Sequence, residues 1–172
     1  MTDRLEQTFL EQINDHLGIA HKVCRIYFQD QEERADLLQE MLYQLWKSYP
    51  DFGGRSRFTT WMYRVCLNTA LGWRKKSKRK GWESLALRHQ QIPEPAADPG
   101  EEHRQALFRA IATLSPLNKA IVFLYLDEVS YEEIAGITGL TRSNVSVRLV
   151  RIKKELEQQL KNQTDSPYNV NS

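Results

Sequence analysis

The chain has 172 residues and a mass of 20.1 kDa, enough for one ordinary domain or two small ones. Its 41% hydrophobic and 27% charged residues describe a soluble globular protein rather than a disordered or membrane one. The net charge of +2 conceals segregation: cations gather at 74–80 and 142–161, acids around 94–102 and 127–133, a pattern that points to a polyanionic partner.

Helical periodicity runs through most of the chain and strand signals are nearly absent. The N-terminal "MTDRLEQTFLEQ" is acidic and amphipathic, with neither a signal-peptide core nor an Arg-rich transit pattern. No apolar run approaches the roughly 18 residues that span a bilayer, so a cytoplasmic chain without membrane insertion is expected. The first helix is predicted over 3–28. Cys24 on it and Cys66 further on are the only cysteines, both in apolar helical contexts, and are expected as buried free thiols. His21 and Cys24 have i, i+3 spacing, but two ligands do not make a zinc site. Neither a metal nor a cofactor is expected.

A second helix is predicted over 31–49. Leu37, Leu38, Met41, Leu42 and Leu45 form its buried face, while Asp36, Gln39, Glu40, Tyr43 and Lys47 share the other. That outer face is either an ordinary solvated surface or a protein-binding patch with Tyr43 as its anchor. Gly53-Gly54 marks a turn and is no nucleotide fingerprint.

The third helix, 56–79, places Phe58, Met62, Val65 and Cys66 in the core on a wheel of about 100° per residue. Tyr63, Leu67 and Ala70 lie on a second apolar side. Trp61, Arg64 and Asn68 share a narrow polar strip with Gly72 alongside, and Tyr63 is assigned to the core. The strip continues into "RKKSKRK", six cations in seven positions, where Arg74, Lys75, Lys76, Lys78 and Arg79 can reach successive phosphates.

Residues 81–103 carry three prolines, few large apolar residues and a terminal cluster of acids, which suits a flexible linker. Helices are then predicted over 103–114, 116–127, 130–137 and 141–161, with a disordered tail over 162–172. Ser115-Pro116 is an N-cap followed by proline at the first helical position, and "SYEE" at 130–133 is a capping box. The expected architecture is all-α: helical domains at 1–80 and 104–161 joined by the linker 81–103.

In "YEEIAGITGLTRSNVSVRLVRIKKEL" a short helix, a turn at Gly139 and a longer helix have the layout of a DNA-reading helix-turn-helix. Ile134, Ala135, Ile137 and Leu140 pack against the second helix, whose Val145, Leu149, Ile152 and Leu156 form the buried stripe. Opposite lie Ser143, Val147, Val150, Arg151 and Lys154, with Ser146 beside them. Two valines among serines and cations suit a major groove, where apolar groups meet thymine methyls and Ser or Arg meets base edges. Arg142 and Arg148 are placed to hold phosphates and fix register.

The chain resembles bacterial sigma factors of the sigma-70 family, in the small extracytoplasmic-function group. "DLLQEMLYQLW" resembles that family's "DLxQExFxxxW", and "FTTWMYRVCLNTALGWRKK" resembles "FxxWLYRIAxNxAxDxxRK". "SYEEIAGITGLTRSNVSVRLVRIKKEL" resembles "SYxEIAxxxGxxxxxVxxRxxRxxxxL". The resemblance implies two small helical domains, a σ2-like bundle and a σ4-like helix-turn-helix. It implies that the face with Asp36, Gln39, Glu40 and Tyr43 binds the clamp coiled coil of core RNA polymerase. Loop 51–58, with Arg55 and Arg57, and the strip of Trp61, Arg64 and Asn68 would read melted −10 promoter DNA, including a flipped base. The cations would follow its backbone. The Ser143–Lys154 face would read the −35 element while its domain docks on the polymerase flap, and an anti-sigma protein is a further partner the resemblance allows.

Two departures stand out. Gly72 occupies a position where the family usually has Asp. Arg64 and Val65 stand where larger sigma factors have a tryptophan pair used in strand separation. The competing functions are a stand-alone helix-turn-helix regulator, an enzyme and a structural helical adaptor. The first leaves the N-terminal module unexplained, no catalytic signature supports the second, and the third gives the basic run no purpose.

Overall fold

The structure, a computed structural model, describes residues 2–79 and 99–164, all of them in helices or short connections. The chain divides into two compact units, residues 1–89 and 90–172. The first holds α1 (Thr2–Tyr27), α2 (Gln31–Phe52) and α3 (Phe58–Arg79), each packed on the other two. The second holds α4 (Pro99–Ala112), α5 (Pro116–Leu126), α6 (Tyr131–Thr138) and α7 (Arg142–Thr164).

The first unit is built around Val23 of α1, Leu37, Met41 and Leu45 of α2, and Met62 and Cys66 of α3, all fully buried. Burial of a side chain the size of Leu or Met stabilises by about 1.5–3 kcal/mol. Cys24 and Cys66 are buried free thiols, as expected, and Cys24 Sγ lies 3.8 Å from Met41 Sδ. Burial pushes the Cys24 thiol up to about 11. Burial pushes Cys66 up to about 12, and proximity to Cys24 adds to the effect.

Element ends depart from expectation in ways the local chemistry explains. Asp30 caps α2 by accepting the Glu33 N–H at 2.9 Å. At its other end α2 runs past Pro50 to Phe52 instead of stopping at 49. Proline costs a helix its N–H bond, but here Gly53, at φ 57°, closes the final turn beyond it. Gly54 is also left-handed, at φ 67°, and the loop ends before Phe58 rather than at 56. Helix α4 begins at Pro99, so 99–103 is helical and not linker; Glu101 and Glu102 in its first turn favour that early start. The rest of the linker expectation, 81–98, lies outside the described residues. Helix α7 continues through 164, so the expected tail at 162–164 is helical, while 165–172 is not described.

In the second unit both predicted starts are present. Ser115 Oγ accepts the Asn118 N–H at 3.3 Å, with Pro116 opening α5. Ser130 Oγ accepts the Glu133 N–H at 3.3 Å, while the Glu133 carboxylate accepts from the Ser130 N–H at 3.4 Å. Ile134, Ala135 and Ile137 of α6 and Val145, Leu149, Ile152 and Leu156 of α7 are buried. Leu140 is only half-buried, because it stands in the turn that follows left-handed Gly139 (φ 76°).

Candidate nucleic-acid and polymerase interfaces

The α6–turn–α7 hairpin presents the expected outer face. Thr141 accepts the Asn144 N–H at 3.2 Å and caps α7, so the helix proper starts at Arg142 and not at 141. Ser143, Arg151 and Lys154 are exposed, as are Val147 at 48% and Val150 at 53%. Exposed β-branched residues between cations give the helix nothing locally, since they lose rotamer freedom there and bury little. Ser146 is half-buried at the margin. Arg142 is exposed, with its Nε 4.0 Å from the Glu132 carboxylate, an ion pair loose enough to exchange for a phosphate.

Arg148 differs from a simple flanking cation. It is half-buried, and its Nη1 donates to Asn118 Oδ1 on α5 at 3.2 Å. No sequence signal on α7 could indicate this, because the acceptor lies thirty residues away.

In the first unit, Asn68 and Arg64 are exposed along α3, and so are Lys75 and Lys76. Arg55 and Arg57 are exposed in the loop, with Arg55 Nη2 3.4 Å from the Asp51 carbonyl. Four residues are placed otherwise than expected. Trp61 is half-buried, its ring 5.0 Å from Phe52, 5.4 Å from Phe58 and 6.0 Å from Tyr49. It leaves the polar strip because α2 extends far enough to bring Tyr49 and Phe52 against it. Phe58 and Val65, expected in the core, are half-buried; Phe58 opens α3 at the rim of this cluster, facing His16 at 5.6 Å. Arg74 is half-buried and close enough for its charge to act on the buried Tyr27 phenol. Burial raises that phenol far more than Arg74 lowers it. The side chains of Lys78 and Arg79 lie outside the described residues. Tyr63 is buried, as expected.

Phe52 is a member of this aromatic group that the wheel missed. It is half-exposed, next to Gly53 and the loop arginines, and only the helical path through Pro50 brings it there. Tyr49 Oη donates to Gln12 Oε1 at 2.8 Å, tying the cluster to α1.

On α2 the outward face is present as expected. Asp36, Gln39, Tyr43 and Lys47 are exposed, Tyr43 at 56% with the Lys47 ammonium 5.9 Å from its ring. Glu40 is half-buried and accepts from Gln44 Nε2 at 2.8 Å. Trp46, 37% exposed, extends this face toward the aromatic cluster through Phe9, 5.0 Å away. Leu38 and Leu42, expected to be buried, are half-buried, since they flank the stripe that meets α1 and α3.

Among the described residues no helix is long and apolar enough to cross a membrane, and no three His, Cys, Asp or Glu side chains group as metal ligands do.

Comparison with known proteins fits this arrangement. Residues 12–80 match the sigma-70 region 2 family and residues 104–156 the sigma-70 region 4 family. The ECF RNA polymerase sigma-E factor of Escherichia coli K12 is 32% identical over 136 residues, covering 71% of either chain. RNA polymerase sigma factor SigV of Bacillus subtilis 168 is 25% identical over 151 residues, covering 86% of this chain and 88% of its own. Among solved structures, the sigma factor RpoE of Bartonella quintana, in complex with the anti-sigma factor NepR, superposes with a TM-score of 0.73 at 20% identity. That match covers 90% of this chain and 98% of RpoE. CnrH, in complex with the cytosolic domain of CnrY, gives 0.67 at 18% identity, covering 94% and 91%. At such identities the structural likeness speaks for the fold alone. The chain therefore belongs to the sigma-70 family, in its extracytoplasmic-function group, as a sigma factor that directs promoter-specific transcription by RNA polymerase.

Proposed function

We propose that the two units divide the promoter between them, α7 reading the −35 element as duplex and α3 with its loop capturing the melted −10 strand. The observation that carries this is the outer face of α7, where Val147 and Val150 stand exposed between Ser143, Arg151 and Lys154. In a major groove the valines meet thymine methyls, Ser143 and Arg151 meet base edges, and Arg142, Arg148 and Lys154 meet phosphates.

On the other unit, Arg64 and Asn68 with loop residues Arg55 and Arg57 contact unstacked bases and the adjacent backbone. The half-exposed rings of Phe52, Phe58 and Trp61 offer stacking surfaces, each worth about 1–3 kcal/mol per base where such stacking occurs. Lys75 and Lys76, followed in sequence by Lys78 and Arg79, track phosphates onward. Arg74 contributes field rather than contact.

The face of Asp36, Gln39, Glu40 and Tyr43 binds the clamp coiled coil of core polymerase, and the second unit docks on the flap. Each unit alone binds DNA weakly. Holding both on one polymerase makes the second contact intramolecular, which multiplies affinity without new contacts. The chain itself performs no catalysis and works in the cytoplasm. An anti-sigma protein that covers the polymerase-binding or DNA-binding faces would silence it.

In vitro transcription by core polymerase supplemented with this chain, over a genomic promoter library, tests the proposal. Selective initiation should appear, with two shared sequence elements upstream of the start sites. A stand-alone regulator would instead bind an operator tightly as pure protein and fail to co-purify with core enzyme.

A further inference from the structure

We infer that Asn118, on α5 and outside the recognition helix, is a positioning residue for promoter binding. It holds the Arg148 guanidinium in the orientation that meets a phosphate of the −35 element. The inference rests on the proposed phosphate role of Arg148.

Three observations support it. Asn118 Oδ1 accepts from Arg148 Nη1 at 3.2 Å, and both residues are half-buried, so the bond is partly shielded from competing water. The backbone that carries Asn118 is itself fixed. Asn118 is the third residue of α5, and its backbone N–H donates to the capping Ser115 Oγ at 3.3 Å, with Pro116 opening the helix. The anchor point is therefore set before DNA arrives. Finally, the bond uses one of the five guanidinium donors and leaves four for a ligand. An acidic residue at 118 would hold Arg148 as firmly but would cancel the charge a phosphate needs. A neutral amide oxygen orients the group and leaves its charge intact.

Arginine has many rotamers, and freezing a long side chain on binding weakens association. Prior restraint by Asn118 removes most of that penalty. Loss of the restraint should weaken binding by about threefold to tenfold, without altering the number of phosphates neutralised.

The test uses full-length chain with core polymerase and a promoter recovered from the library transcription above. Its readout is the promoter-complex dissociation constant as a function of salt for wild type, Asn118→Ala, Arg148→Ala and the double variant. Far-UV circular dichroism melts check that each variant is folded. The inference predicts three results. Asn118→Ala weakens binding threefold to tenfold with an unchanged salt slope. Arg148→Ala weakens it more and lowers the slope by about one. In the Arg148→Ala background, Asn118→Ala adds nothing. An Asn118→Ala effect that persists at full size without Arg148, or no effect in the wild-type background, overturns the inference and leaves the proposed −35 face standing. If Arg148→Ala changes neither affinity nor slope, the phosphate role of Arg148 fails first, and the inference falls with it.

Discussion

Gly72 offers a clean test of how α3 is built. It sits inside a 22-residue helix at an exposed position, and a Cβ added there meets no atom within 4 Å. Its backbone is helical, so alanine fits without strain, and the extra carbon neither crowds the core nor buries apolar surface. What remains is the backbone entropy that glycine loses on folding, which makes Gly72→Ala stabilising by about 0.8–1 kcal/mol. Gly72→Asp, the residue the family usually carries, should gain only about 0.3 kcal/mol, because Asp is itself a poor helix former. The assay follows from the distribution of aromatics. Trp46, Trp61 and Trp73 lie on α2 and α3, and no tryptophan lies in 99–164, so tryptophan emission during urea titration reports the first unit rather than the second. For a unit of this size the urea slope is about 1 kcal/mol per molar, so Gly72→Ala should move the midpoint upward by nearly 1 M. A midpoint that stays put or falls would refute this account. It would mean that the glycine is required by a close approach that the free chain does not show, or that α3 is not continuous there.

Asn68→Ala should leave folding intact, since Asn68 is exposed, yet reduce open-complex formation by about tenfold or more. Permanganate reactivity of −10 thymines would measure this, and unaltered reactivity would remove Asn68 from the strip. On the −35 side, replacing a contacted thymine by deoxyuridine removes one methyl, worth about 0.8 kcal/mol when buried, or about fourfold in affinity. Val150→Ala should make the polymerase complex largely indifferent to that replacement, and an equal loss in both proteins would show that the methyl lies elsewhere. The thiols predict a pH dependence. Folded Cys24 and Cys66 keep their protons to about 11 and about 12, against 9.0 ordinarily. Their contribution to stability is therefore full below pH 9 and declines as pH climbs from 9 toward 12. The urea midpoint should fall over that window less steeply in Cys66→Ala than in wild type, once each is referred to its own value at pH 7. Near neutral pH, labelling of Cys66 by an aromatic disulfide should proceed only as fast as the first unit opens.

The sequence by itself determined whatever depends on neighbours along one helix. Ser115-Pro116, the Ser130–Glu133 box and left-handed Gly53 and Gly139 follow from local backbone demand, and each is where the residues implied. The buried stripe of α7 and the exposed Val147 and Val150 follow from the 3.6-residue period. So did the all-α class and the family, because three motifs survive in order. Tertiary structure alone decided what meets across helices. Trp61 moved from the strip into an aromatic cluster because α2 continues through Pro50 to Phe52, and a helical wheel has no knowledge of its neighbour's length. Arg74 came close enough for its charge to act on the Tyr27 phenol because α3 packs on α1, and Arg148 was tied to Asn118 because a long cation takes an acceptor near in space rather than in sequence. The period of a helix fixes which side of it faces inward; only packing fixes which of its polar groups are already engaged when a ligand arrives.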